Sequence, residues 1–175
     1  MERKNAWLTY TEKDEKEIEQ ISEAYRRFLD AGKTERECVE ELVQQAEAAG
    51  YVSLEKKTAS GEKLRAGDKV YAVGMKKIMA LFHIGQEPLE NGMNILGAHI
   101  DSPRLDIKQN PLYEDTDLAY LDTHYYGGIR KYQWSAVPLA MHGVVYLEDG
   151  TRVEISLGEK EGDPVFCVTD LLPHL

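Results

Sequence analysis

His99 and Asp101 stand two residues apart in Asn94-Ile95-Leu96-Gly97-Ala98-His99-Ile100-Asp101-Ser102-Pro103. In an extended chain, residues i and i+2 leave the same face, so one imidazole and one carboxylate emerge together. A metal site can use that pair, with the histidine as ligand and the aspartate orienting a ligand or bound water. A strand end with one satisfied histidine and one aspartate capping the next turn fits the same spacing, and His-x-Asp alone does not separate the two. Asn94 to Ile100 predicts a short buried strand interior to a sheet. Gly97 and Ala98, almost without side chains, predict a neighbour packed closely on that backbone. Pro103 withholds a ladder hydrogen bond and biases Ser102 toward extended chain, which ends the strand.

Other groups with chemistry lie nearby in sequence. His124, in Asp122-Thr123-His124-Tyr125-Tyr126-Gly127-Gly128, is either on a loop close to a substrate or a loop histidine satisfied by backbone. His83 and His142 sit inside apolar runs and read as core or sheet-face histidines rather than ligands. Arg104, Arg130 and Lys131 have the charge to meet a substrate carboxylate, and equally read as ordinary surface cations. Cys38 and Cys167 are far apart and form no metal or redox spacing, as expected of two reduced thiols.

The elements that must position these residues change character along the chain. Thr11 to about Leu29 predicts a helix, with Ile18, Ile21, Tyr25, Phe28 and Leu29 as its apolar stripe and Gly32 as its end. Thr34 opens a second helix, with Glu37 completing a capping-box pattern, a stripe of Cys38, Leu42, Val43 and Ala46, and Gly50 as the stop. Tyr51 to Asp68 reads as polar and irregular. Lys69 to Val73 and Lys77 to Ile84 predict a hairpin turning at Gly74-Met75. After Pro103 come only short extended runs: Leu105 to Ile107, Ala119 to Asp122, Leu139 to Leu147, Thr151 to Ser156 and Val165 to Val168. Glu148-Asp149-Gly150 is a tight hairpin signal among them. The pattern predicts an α/β opening with a boundary near residue 105 and a β-rich module behind it.

Composition narrows the function classes. Acidic residues number 31 against 21 basic ones in 175 residues, a formal net charge of −10. That balance argues against nucleic acid or an anionic membrane as the main partner. No apolar run approaches the about 20 residues a spanning helix needs, and the first residues lack the apolar core of a signal peptide. The composition fits a soluble, cytoplasmic protein.

The string Gly97-Ala98-His99-Ile100-Asp101-Ser102-Pro103-Arg104-Leu105, followed by Thr123-His124-Tyr125-Tyr126-Gly127-Gly128 and Trp134, resembles the aspartyl-aminopeptidase family of two-metal metallo-aminopeptidases. The resemblance runs from the N-terminal helices to Leu175. It implies residues 1–105 as the N-terminal part of a metallopeptidase α/β domain and 106–175 as the start of an inserted β-rich dimerisation domain. Family chains are well over twice as long, so the N-terminal portion alone is expected here, and Asp170 to Leu175 looks like a segment entering a helix.

The resemblance also implies a function: removal of an N-terminal, typically acidic, residue from peptides at a pair of divalent ions. Zinc leads, with cobalt and manganese equally suited to histidine and carboxylate ligands. By resemblance His99 is a metal ligand, Asp101 is the carboxylate of the catalytic set beside it, and His124 is a substrate-side residue. The bridging aspartate, the base glutamate and the other ligands would lie beyond Leu175, leaving one ligand here. His174 matches a family Pro-His-Leu string without taking over the role of the histidine expected after it. Peptide substrates and a homo-oligomer built of dimers are the implied partners. Ile129, Lys131 and Ala136-Val137-Pro138 depart from the commoner family pattern, while Trp134 is kept. These departures read as a bacterial subgroup whose residue preference stays open. Two further readings stand beside this one. One is a non-catalytic fragment acting as an oligomerisation or interaction module; the other is a small-molecule binding domain in which His99 and Asp101 are structural. A cut sheet also predicts exposed apolar faces and a marginal, aggregation-prone chain.

Overall fold

The computed structural model describes residues 4–169. The chain divides into two compact units, Met1–Ile100 and Asp101–Leu175.

In the first unit, α1 (Glu12–Ala31) begins at a reciprocal cap. The Thr11 side chain accepts from the Asp14 backbone N–H, and Asp14 Oδ2 accepts from the Thr11 N–H at 2.7 Å. Those hydrogen bonds favour the ionised form and hold the Asp14 carboxyl below its usual range. The helix ends at Gly32, whose N–H donates to the Phe28 carbonyl. Its apolar stripe has the predicted spacing, but α1 buries none of it, and Ile21 stays 70% exposed. The stripe needs a covering surface that the described residues do not provide.

The second predicted helix is α2 (Glu35–Ala48), with the Thr34–Glu37 box formed. It buries Cys38, Val39 and Ala46 and packs against a small sheet. That sheet has the order β1 (Val52–Ser53), β2 (Lys69–Gly74), β3 (Ile78–His83), with β1 parallel and β3 antiparallel to β2. The β2–β3 hairpin is the predicted one, closed by Met75 and Lys76 at φ 50° and 58°. Both are the central residues of the Gly74–Lys77 turn, whose Lys77 N–H donates to the Gly74 carbonyl, and positive φ at both is the type I′ pattern; Lys77 is the extra residue before the Gly74–Ile78 pair. Between β1 and β2, where irregular chain is expected, lies the short helix α3 (Leu54–Ala59), capped by Ser53. Behind it, Lys57 Nζ donates to Asp68 Oδ2 at 2.9 Å and the Arg65 N–H donates to the same oxygen, which lowers the Asp68 pKa.

The predicted strand from Asn94 to Ile100 is not one: this segment has no ladder partner among the described residues. Ile95 and Leu96 are 79% and 99% exposed, and a Cβ on Gly97 would meet nothing within 4 Å. The reason is physical. Apolar content suits a strand, but a strand exists through a neighbour's hydrogen bonds, and none runs beside this segment.

The second unit is β-rich, as predicted. β4 (Arg104–Asp115) and β5 (Leu118–Tyr126) form an antiparallel ribbon, and β6 (Met141–Tyr146) and β7 (Arg152–Leu157) form another. β4 runs on past the predicted Ile107 because a bulge between Ile107 and Leu112 accommodates Pro111. The Glu148-Asp149-Gly150 signal closes β6–β7, with Gly150 at φ 84° and the Thr151 N–H donating to Asp149 Oδ1. The segment expected to enter a helix at 170–175, and His174 with it, lies outside the described residues. No helix among the described residues is long and apolar enough to cross a membrane.

Two predictions follow from the α1–α2 junction. A Cβ on Gly32 would lie 2.6 Å from Cys38 Sγ and 3.2 Å from Cys38 Cα, so Gly32→Ala should cost about 1–3 kcal/mol in urea unfolding. Cys38→Ala in the same chain should recover part of that loss; an unchanged midpoint for Gly32→Ala would refute the contact. Burial, with Glu37 and Glu35 beside it, pushes the Cys38 thiol up, so the unreactive neutral form persists to higher pH. Iodoacetamide at pH 7.5 should therefore label exposed Cys167 well before Cys38, with Cys38 labelling rising only above the usual thiol range. Equal rates at the two thiols would contradict this.

Candidate functional site

The first unit contributes His99, which is exposed one residue before the unit's end. Ile100 anchors that end, its carbonyl lying 3.8 Å from Cys38 Sγ on the first turn of α2. His83, at the last position of β3, is exposed.

Geometry in the second unit is richer. Arg104 and Tyr126 are the first cross-strand pair of the β4–β5 ribbon, and Asp106 faces His124 two residues on. Direct pairing and the two-residue repeat place all four side chains on one face at the open end of the ribbon. The Tyr126 phenol donates to Asp101 Oδ2 at 2.9 Å. Arg104 lays its guanidinium 4.1 Å from the centre of the Tyr126 ring and donates from Nε to Asp106 Oδ1 at 2.7 Å. Gly127, at φ 74°, lets the chain turn so closely that a Cβ there would stand 3.5 Å from Pro103 Cα. The His-x-Asp-Ser-Pro and Tyr-Gly-Gly strings are therefore joined through Asp101–Tyr126 and Pro103–Gly127, all within the second unit.

This geometry amends several readings of the residues. His124 is in strand β5, not on a loop, because pairing with Asp106 extends the ribbon through it; its Nδ1 lies 3.1 Å from the Tyr125 carbonyl oxygen. Arg104 is engaged by Asp106 and the Tyr126 ring, and Lys131 Nζ sits 5.0 Å from the Tyr125 ring centre, so neither is a bare cation awaiting a carboxylate. Arg130 is exposed. His142 is on the face of β6 with Nε2 2.9 Å from Glu159 Oε1, as a sheet-face histidine should be. Asp106 escaped the reading of the sequence, and Tyr126 entered it only as part of the Tyr-Gly-Gly string, with no role of its own. Their signal was the alternation through Thr123–Tyr126, visible only once the strand register is known.

As a metal centre, this donor set falls short. Among the described residues, no group of three or more His, Cys, Asp or Glu is placed to hold an ion. A catalytic zinc site takes about three protein ligands plus water, and an imidazole with one carboxylate is not that. The residues present do not by themselves fit the metal.

Known proteins resemble this chain along nearly its whole length. The profile of the family described as Aminopeptidase I zinc metalloprotease (M18) matches residues 28–175. A probable M18 family aminopeptidase 1 of Clostridium acetobutylicum is 57% identical over 174 residues, which is 99% of this chain and 37% of that protein. The crystal structure of an M18 aminopeptidase from Thermotoga maritima superimposes with a TM-score of 0.86 at 46% identity, covering all of this chain and 37% of that one. Aminopeptidase I from Borrelia burgdorferi superimposes with a TM-score of 0.87 at 40% identity, covering 97% and 41%. The chain thus spans about 37% of the length of the curated relatives it matches. A profile match over residues 28–175 shows that this chain belongs to the M18 family of zinc metallo-aminopeptidases.

Proposed function

We propose that this chain is the N-terminal portion of a metal-dependent aminopeptidase that removes N-terminal residues from peptides. The observation that carries the reading is similarity along 99% of this chain to a probable aminopeptidase of which it spans only 37%. On this reading, residues 1–105 open the peptidase domain and 106–175 begin an inserted β-rich dimerisation domain. His99 supplies one ligand to a pair of divalent ions, zinc first, with the remaining ligands coming from chain beyond Leu175. Asp101 is the carboxylate beside that ligand, and His124 faces the substrate from β5. The assembled enzyme is an oligomer of dimers in the cytoplasm, and the charge of −10 on these 175 residues argues against nucleic acid and anionic membranes as their partners.

A non-catalytic oligomerisation module is favoured by one observation. Both ribbons of the second unit are two-stranded and expose apolar side chains, Leu112 at 72% among them. Such ribbons are marginal alone in water and gain from a partner.

The deciding experiment compares the 175-residue chain with the polypeptide extended to the length of its relatives, both purified with zinc and assayed on aminoacyl p-nitroanilides. The extended protein should turn over and the short chain should not. His99→Ala in the extended protein should lower kcat/KM by more than about 100-fold, beyond the usual cost of losing an outer-sphere partner. Turnover by the short chain alone would overturn the proposal.

A further inference from the structure

We infer that the bare stripe of α1 is a docking face for an amphipathic helix from the polypeptide beyond Leu175, with lysine or arginine beside Glu15 and Glu17; the inference rests on the reading of this chain as an N-terminal portion. Ile18, Ile21, Tyr25 and Phe28 follow the alternating three- and four-residue spacing of a helix–helix seam, with Leu29 beside them. No residue of α1 is buried, and Ile21 and Tyr25 are 70% and 60% exposed. Trp7, just before the helix, widens the apolar surface by lining one groove with Ile18, Glu15 and Glu19. By contrast, α2 lays its apolar face on the small sheet. Helices in proteins owe most of their stability to packing of the apolar face, so a contiguous bare stripe marks an interface.

The positions beside the seam select the occupant. Glu15 and Glu17 border its beginning, one on each side; further on, Ser22 and Leu29 border one side and Ala24 and Ala31 the other. These are mostly small, so a second helix can approach closely, and only the beginning asks for a cation. A second copy of α1 does not supply one. Laid parallel, it would bring Glu15 of one copy alongside Glu17 of the other. Laid antiparallel, with Ile18 opposite Phe28, it would set Glu15 against Leu29 and Glu17 against Ala31, leaving both carboxylates facing carbon. The arginines of the helix, Arg26 and Arg27, are engaged by Glu23 on the same helix. The rest of the polypeptide is the better source. This chain is similar along 99% of its length to a relative of which it spans 37%, so on the proposed reading most of the protein follows Leu175. A tethered segment also meets the face at a high effective concentration, which a separate protein does not.

The test places one thiol on the face. Ile21→Cys is made in the 175-residue chain and in the polypeptide extended to the length of its relatives, and iodoacetamide labelling at position 21 is followed by peptide mass. Labelling should be slower in the extended protein by about tenfold or more, because alkylation needs an accessible thiolate. Glu23→Cys, about 200° round the helix from position 21, should label within about twofold at both lengths. Adding Glu15→Lys and Glu17→Lys should speed labelling at position 21 about threefold in the extended protein and leave the short chain unchanged. A photoreactive benzoylphenylalanine in place of Tyr25 should cross-link to chain beyond Leu175 and keep the mass of one polypeptide. If Ile21→Cys does not fold, Tyr25→Cys takes its place on the same seam. Equal labelling at the two lengths would overturn the docking. So would slowed labelling in a dimeric short chain, or a cross-link that doubles the mass, since either gives the face to a second copy. No effect of the two lysines would overturn the basic flank. Aminoacyl p-nitroanilide turnover by the extended wild type is read alongside. Turnover with equal labelling removes the docking and keeps the aminopeptidase reading; protection without turnover does the reverse.

Discussion

Val39 on α2 and Val70 on β2 are the large side chains fully buried in the described residues, and the first unit is arranged to keep them dry. The Thr34–Glu37 box fixes where α2 begins, and Gly32 lets the preceding chain pass against Cys38. Tyr71 then ties β2 back to the far end of α2, its hydroxyl donating to Glu47 Oε1 at 2.7 Å. Each buried valine contributes about 1.5–3 kcal/mol, so this nucleus is small and depends on every device that closes it. Removing water from two side chains is what gives the helix, the hairpin and β1 a reason to stay together.

The second unit is organised differently. It has no comparable nucleus among its described residues and relies on ladder hydrogen bonds, tight turns and polar ties. Asp163 shows the pattern away from the candidate site: its carboxylate accepts the N–H groups of Gly158 and Lys160 and is held below its usual pKa by them. The Asp101–Tyr126–Arg104–Asp106 series is the same economy applied at the open end of a ribbon. Direction, rather than buried area, is what these contacts supply.

The start of α2 was legible in the sequence because a cap is a local event: Thr34 followed three residues later by Glu37 specifies both partners. The β2–β3 and β6–β7 turns were legible for the same reason. Asn94 to Ile100 misled because composition reports what would suit a strand and not whether a neighbour runs beside it. Helix α3 was missed because its six residues, Leu54–Ala59, are too few to show a period, and only Ser53 marked the start. The tie between Asp101 and Tyr126 spans 25 residues and is set by the register of a ribbon, which no spacing rule reads. His99 and Asp101 could be singled out from the sequence; the residues that hold Asp101 could not.

The bulge in β4 has a consequence beyond its shape. From Ile107 to Leu112 the strand advances five residues while its partner advances two, from Thr123 to Leu121. The three surplus residues make an odd number, so the alternation of faces changes phase there. The two halves of the ribbon thus keep separate accounts of which side is inward. The bulge pins the register where it sits, so the Arg104–Tyr126 pair does not take its alignment from the turn at Thr116 and Asp117. The tip of the ribbon is free to drift in sequence or carry an inserted loop, while the end that orients Asp101 keeps its register.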